Sequence, residues 1–152
     1  MRNPDPERKK AIERRKQRLF AWLEEELAAY HERVRFLSRS PDESAPPRAF
    51  VVLEWRRRAL ERLTGAISRL LDSLPDDRRR FVELKYFQQK SYVAIAAALY
   101  VAPRTLFRWR EEILSTLALY LGLLELEGEA GREMAQVDRS TASPSGHVGL
   151  DA

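Results

Sequence analysis

The sequence predicts an all-α fold, on three observations. Apolar residues recur at spacings of three and four through most of the first 123 positions, which is the period of a single helix face. Proline falls between these stretches or at their starts, where it interrupts no helix interior. The segment 91–110, SYVAIAAALYVAPRTLFRWR, reads as two short helices joined by a tight turn.

The first element follows from residues 7–37, which contain no Pro or Gly. There Phe20, Leu23, Leu27, Tyr30, Val34 and Leu37 alternate at three and four, a coiled-coil-like stripe on one long, basic, amphipathic helix over 1–37. The stripe lasts only about two and a half heptads, so packing on the rest of the chain and homodimerisation through this helix are both open. Residues 38–48, SRSPDESAPPR, combine Ser and acids with three prolines and predict an irregular linker. A second long helix is expected from about Ala49 to Ser73, with Leu53, Leu60, Leu63, Ile67 and Leu70 on one side and Gly65 as a local weakness. Leu74-Pro75 ends it, because proline disfavours a helical residue before it. Asp76 and Asp77 suit the first turn of a third helix, whose apolar surface is Phe81, Val82, Leu84, Tyr86 and Phe87.

Within 91–110, Ser91 is placed to cap a helix that buries Ile95, Ala96 and Leu99. Tyr100, Val101 and Ala102 form the turn, and Pro103 suits the first position of the next helix. That helix turns Leu106, Trp109, Ile113, Leu117 and Tyr120 inward and runs to Leu121-Gly122, where Gly can supply a left-handed C-cap. Arg104, Thr105, Phe107, Arg108 and Glu111 are left facing outward. This is the arrangement of a helix-turn-helix, which places its second helix in the major groove of DNA. Residues 49–123 are therefore read as a helical DNA-binding domain. Residues 124–152, rich in Gly and Ser, are read as a disordered tail.

Charge is distributed unevenly behind a net +4. Residues 1–18 carry +5, residues 19–118 carry +3 and the last 34 carry −4. A basic front suits the approach to a polyanion, and Arg8, Lys9, Lys10, Arg14 and Arg15 are the expected nonspecific phosphate contacts. Arg outnumbers Lys by 22 to 5, which favours phosphate and guanine recognition. The absence of cysteine excludes disulfides and thiolate metal sites. Two histidines, His31 and His147, are too few and too far apart for a triad or a histidine metal cluster. No enzyme activity, cofactor or metal is expected. With no membrane-length apolar run and no signal-peptide core, a cytoplasmic location is expected.

From Leu74 to Leu123 the chain reads LP, an Arg-rich helix, LKYF, SYVAIAAAL, VAPRTLFRWR, then IL and LALYLGL. This resembles the helix-turn-helix of sigma factor region four. The longer span from about Val52, with AISRLLDSLP leading in, is similar to phage transcriptional regulators of the RinA and ArpU type. The resemblance implies a sigma-region-four-like domain behind a long N-terminal helix, and an activator of phage or prophage late genes. It places Arg104, Thr105 and Arg108 against DNA.

Three positions depart from that pattern. Tyr100 stands where such turns usually carry Gly, and a bulky residue at positive φ is strained, which predicts an opened or differently shaped turn. Ala102 stands where Ser commonly caps the second helix, a loss of about 1 kcal/mol. Ala94 stands where Glu would complete a capping box with Ser91.

The outward residues have separable expected roles. Arg104, near a helix N-terminus, suits a phosphate or a guanine; Thr105 a phosphate or a thymine methyl. Arg108, four residues on, shares the Arg104 face and is the candidate for base readout. Phe107 suits a base methyl, a sugar or another helix. Arg110 is a phosphate clamp unless Glu111 or Glu112 pairs with it, and Ser91 can cap its helix and bind phosphate at once. Two alternatives to a regulator remain: a small terminase-like DNA-packaging subunit, and a sigma-like module that binds RNA polymerase.

Overall fold

The computed structural model describes residues 5–40, 44 and 46–123, and among them the fold is all-α. Six helices follow in order: α1 (Pro6–Ala28), α2 (Tyr30–Ser38), α3 (Pro47–Ser73), α4 (Asp76–Val82), α5 (Tyr92–Leu99) and α6 (Pro103–Tyr120). A π-helical segment, Glu83–Phe87, continues α4. The expected tail, 124–152, lies outside the described residues, as do parts of the 38–48 linker.

The first half of the N-terminal stripe packs inside the fold, whereas Val34 is exposed. Phe20, Leu23 and Leu27 are fully buried in one core with Leu63, Ile67 and Leu70 of α3, Phe81 and Val82 of α4, and Leu106, Ile113, Leu114 and Leu117 of α6. These α1 side chains are thus part of the core of the 49–123 unit. The first half of α1 carries no buried residue and projects beyond that core.

The expected single helix over 1–37 is two helices. It breaks at Ala29, whose backbone (φ −89°, ψ 0°) shifts off helical values although no Pro or Gly is near. The cause lies in packing: Tyr30 stacks on Phe87 at 6.0 Å between ring centroids, and His31 meets the same ring edge-on at 4.4 Å. α2 then lies on the N-terminal half of α3. There Arg57 donates to the Leu37 and Arg39 carbonyls at the C-terminal end of α2, where a cation meets the negative end of the helix dipole.

α3 starts two residues earlier than expected, with Pro47 in its first turn, and Gly65 sits inside it without a break. At its far end Arg79 donates to the Leu71 and Leu74 carbonyls, fixing the angle between α3 and α4. The third helix contains the expected residues but does not stay α-helical. Leu84 and Tyr86 are both buried together with Phe81 and Val82, and wider π turns, closed by Gln88 N–H donating to the Glu83 carbonyl at 2.9 Å, bring all four to the core.

Candidate nucleic-acid interface

α5 and α6 form the predicted pair. The Ser91 hydroxyl accepts from the Ala94 amide at 3.2 Å and caps α5; Ile95 and Ala96 are buried against α6. The expectation of an opened turn is corrected. Tyr100 takes the left-handed conformation itself (φ 55°, ψ 42°), with its side chain 94 % exposed, and the Val101 amide donates back to the Ala96 carbonyl at 3.2 Å. A bulky residue therefore takes the left-handed conformation that usually favours glycine, with its side chain in solvent. Val101 folds inward against the core.

α6 opens with Pro103 in its first turn, and Ala102 provides no side-chain cap. Its inner face, Leu106, Trp109, Ile113, Leu114, Leu117 and Ala118, is buried. Trp109 meets Phe81 edge-on at 6.3 Å and lies under the Arg78 guanidinium at 5.3 Å. Gly122 (φ 69°) ends the helix as predicted, with Leu123 N–H donating to the Ala118 carbonyl at 2.8 Å.

On the outer face, Arg104 and Arg108 are exposed, and no described residue forms a hydrogen bond or ion pair with either guanidinium. Thr105 is half-buried between them. Phe107 leans on Tyr92 of α5, at 4.7 Å between ring centroids, yet remains 51 % exposed; Lys85 stands over the other partner ring, 4.7 Å from the Tyr92 centroid. Two arginines and an aromatic wall flanked by Lys85 thus share one side of the α5–α6 pair. The acids further along α6 are already occupied: Glu111 pairs with Lys16 at 3.4 Å and Glu112 with Arg78 at 3.6 Å.

Arg110 has a different role from the one expected. It pairs with neither Glu111 nor Glu112; its guanidinium donates to Glu24 of α1, whose other carboxylate oxygen accepts from the Tyr86 hydroxyl at 2.8 Å. The three side chains tie α1, the π segment and α6 together at a partly buried point. Burial pushes the Glu24 carboxyl up, but hydrogen bonds from Arg110 and Tyr86 outweigh it and leave the group below its ordinary 4.5. The bond to Glu24 in turn raises Arg110, and burial with the same carboxylate raises Tyr86. Arg110 is a structural cation first, with its charge neutralised by Glu24.

The predicted nonspecific contacts all lie on the projecting half of α1. Arg8, Lys9, Lys10, Arg14 and Arg15 are exposed there, with Lys10 paired to Glu7 at 3.5 Å. Lys16, bound to Glu111, fixes where this basic half leaves the core: beside the outer face of α6. Sequence reading missed the Lys16, Glu24 and Lys85 contacts. Glu24 alone left a trace, since it lies four residues after Phe20 and three before Leu27, at the edge of the buried stripe.

Among the described residues no group of His, Cys, Asp or Glu could hold a metal ion, and no helix is long and apolar enough to cross a membrane. No protein-family model, curated protein or solved structure matches the chain.

Proposed function

We propose that this protein is a sequence-specific DNA-binding transcriptional regulator of the phage or prophage late-gene type. In this reading α5 and α6 act as a helix-turn-helix, and the outer face of α6 enters the major groove. The observation that carries it is the pair Arg104 and Arg108, one turn apart on an exposed helix face and without an acidic partner among the described residues. An arginine with no structural duty is available for guanine edges or phosphate. Phe107 supports an adjacent contact to a thymine methyl or a sugar. The projecting half of α1, leaving the core beside the same face, adds charge that any DNA sequence would satisfy.

The two arginine sets separate in binding measurements over a range of salt. Arg108→Ala is expected to reduce preference for the specific site by about 1–3 kcal/mol while affinity for random DNA holds. Replacing Arg14 and Arg15 with Ala is expected to weaken binding to every sequence and flatten its salt dependence, each lost contact lowering the slope by about 1. Undiminished discrimination by the Arg108 variant would sink the proposed docking.

A second reading has its own observation. α5 carries no charged side chain, yet Val93 and Tyr100 are exposed, as are Ala94, Ala97 and Ala98. An apolar outer face of this kind suits contact with protein, as in a sigma-like module on RNA polymerase. Retained polymerase binding with no DNA binding at low salt selects it.

A further inference from the structure

α3 carries one apolar stripe along its whole length, but the described residues cover only half of it. Leu63, Ala66 and Leu70 are buried in the core. Stepping back from Leu63 by four, three or four, and three residues, the same face continues through Ala59, Trp55 or Arg56, and Val52. There it is bare: Trp55 is 77 % exposed, Val52 54 % and the adjacent Val51 58 %, and Ala59 is exposed as well. The reverse side of this half-helix is where α2 lies, held through Arg57, so α2 does not cover the strip.

We infer that this strip is a self-association surface, on which the N-terminal halves of α3 from two copies of the chain pack antiparallel about a two-fold axis near Trp55. The area suits it. With an aromatic side chain presenting roughly 200 Å² and the aliphatic ones less, the strip offers on the order of 400 Å² of apolar surface. An ordinary stable interface takes about 800 Å² from each partner, a little over half of it apolar, so the strip supplies nearly the apolar share of one side.

Shape is self-complementary. In that pairing Val52 of one copy comes level with the small Ala59 of the other, and the two Trp55 rings meet side by side at the axis. Arg56, on the same face, comes level with Trp55 of the mate, where a guanidinium can lie on the indole ring.

Sedimentation of the full chain at tens of micromolar tests this, with Trp55→Glu and, as a milder change at the same surface, Ala59→Arg. Both positions are exposed, and unchanged far-ultraviolet dichroism verifies that the fold persists. The expected result is a wild-type dimer whose dissociation constant rises about 100-fold or more in the Trp55 variant and clearly in the Ala59 variant. A wild-type monomer overturns the proposal. A dimer untouched by both substitutions overturns it too.

Discussion

The two faces of α6 are built from different requirements, although they share one helix. The inner face, from Leu106 to Ala118, has every large side chain buried and contributes to a core that draws on α1, α3, α4 and α5. On the outer face, Arg104 and Arg108 form no hydrogen bond or ion pair with the described chain. Between them lies Arg110, basic like its neighbours but held by Glu24. A positive side chain on the second helix is thus no sufficient sign of a DNA contact. What distinguishes Arg104 and Arg108 from Arg110 is that no acid of the described chain pairs with them, Glu111 and Glu112 being taken by Lys16 and Arg78, and sequence spacing does not reveal it.

This contrast can be broken from either side. Trp109→Ala, on the inner face, has the largest expected effect: it removes a buried indole between Phe81 and Arg78 and should cost about 3–5 kcal/mol in urea unfolding. Its opposite is Arg104→Ala with Arg108→Ala on the outer face, which should leave the unfolding midpoint within about 0.5 kcal/mol of wild type. A large loss of stability from the outer pair would mean that those side chains have structural partners after all.

Arg110 sharpens the comparison, being outer in character and inner in role. Glu24→Gln replaces the carboxylate that accepts from both Arg110 and Tyr86, and about 1–2 kcal/mol of stability should be lost at neutral pH. The pH dependence has a definite sign. Because Glu24 is held below its ordinary 4.5, its stabilisation is fully present above that value and is lost as the pH falls through the lower folded value. The Glu24→Gln variant should therefore lose less stability on acidification below 4.5 than wild type does, measured as unfolding midpoint against pH. Parallel acid limbs in the two proteins would contradict the assignment.

A smaller effect, of opposite sign, belongs to the turn. Tyr100→Gly relieves a left-handed residue whose side chain touches solvent, and the net gain should be roughly 0.5–1 kcal/mol after the added freedom of the unfolded chain is subtracted. A thermal midpoint that falls instead would show that Tyr100 holds the corner.

What could be read from the sequence follows from what determines it. Local signals placed the ends of α5 and α6 at Ser91, Pro103 and Gly122, because capping and φ restrictions act within a few residues. The α3 end at Leu74-Pro75 was legible for the same reason. Tertiary causes were not legible: Phe87 reaches across the chain to break the first helix at Ala29, and four core residues at uneven spacing impose the π turns after Val82. The candidate site divides the same way. Arg104 and Arg108 were legible as an exposed face of a periodic helix, whereas the pairing of Arg110 with Glu24 joins residues 86 positions apart. At the turn, Tyr100 takes the left-handed backbone that usually favours glycine, and the Val101 amide closes the corner on the Ala96 carbonyl.

The most direct test of the outer face is selection from a pool of random DNA sequences by the wild-type protein and by the Arg104→Ala, Arg108→Ala double variant. The wild type should enrich one motif. The double variant should retain DNA at low salt through the basic half of α1 but enrich no motif. If the wild type enriches nothing, or the double variant enriches the same motif, the outer face of α6 does not read DNA.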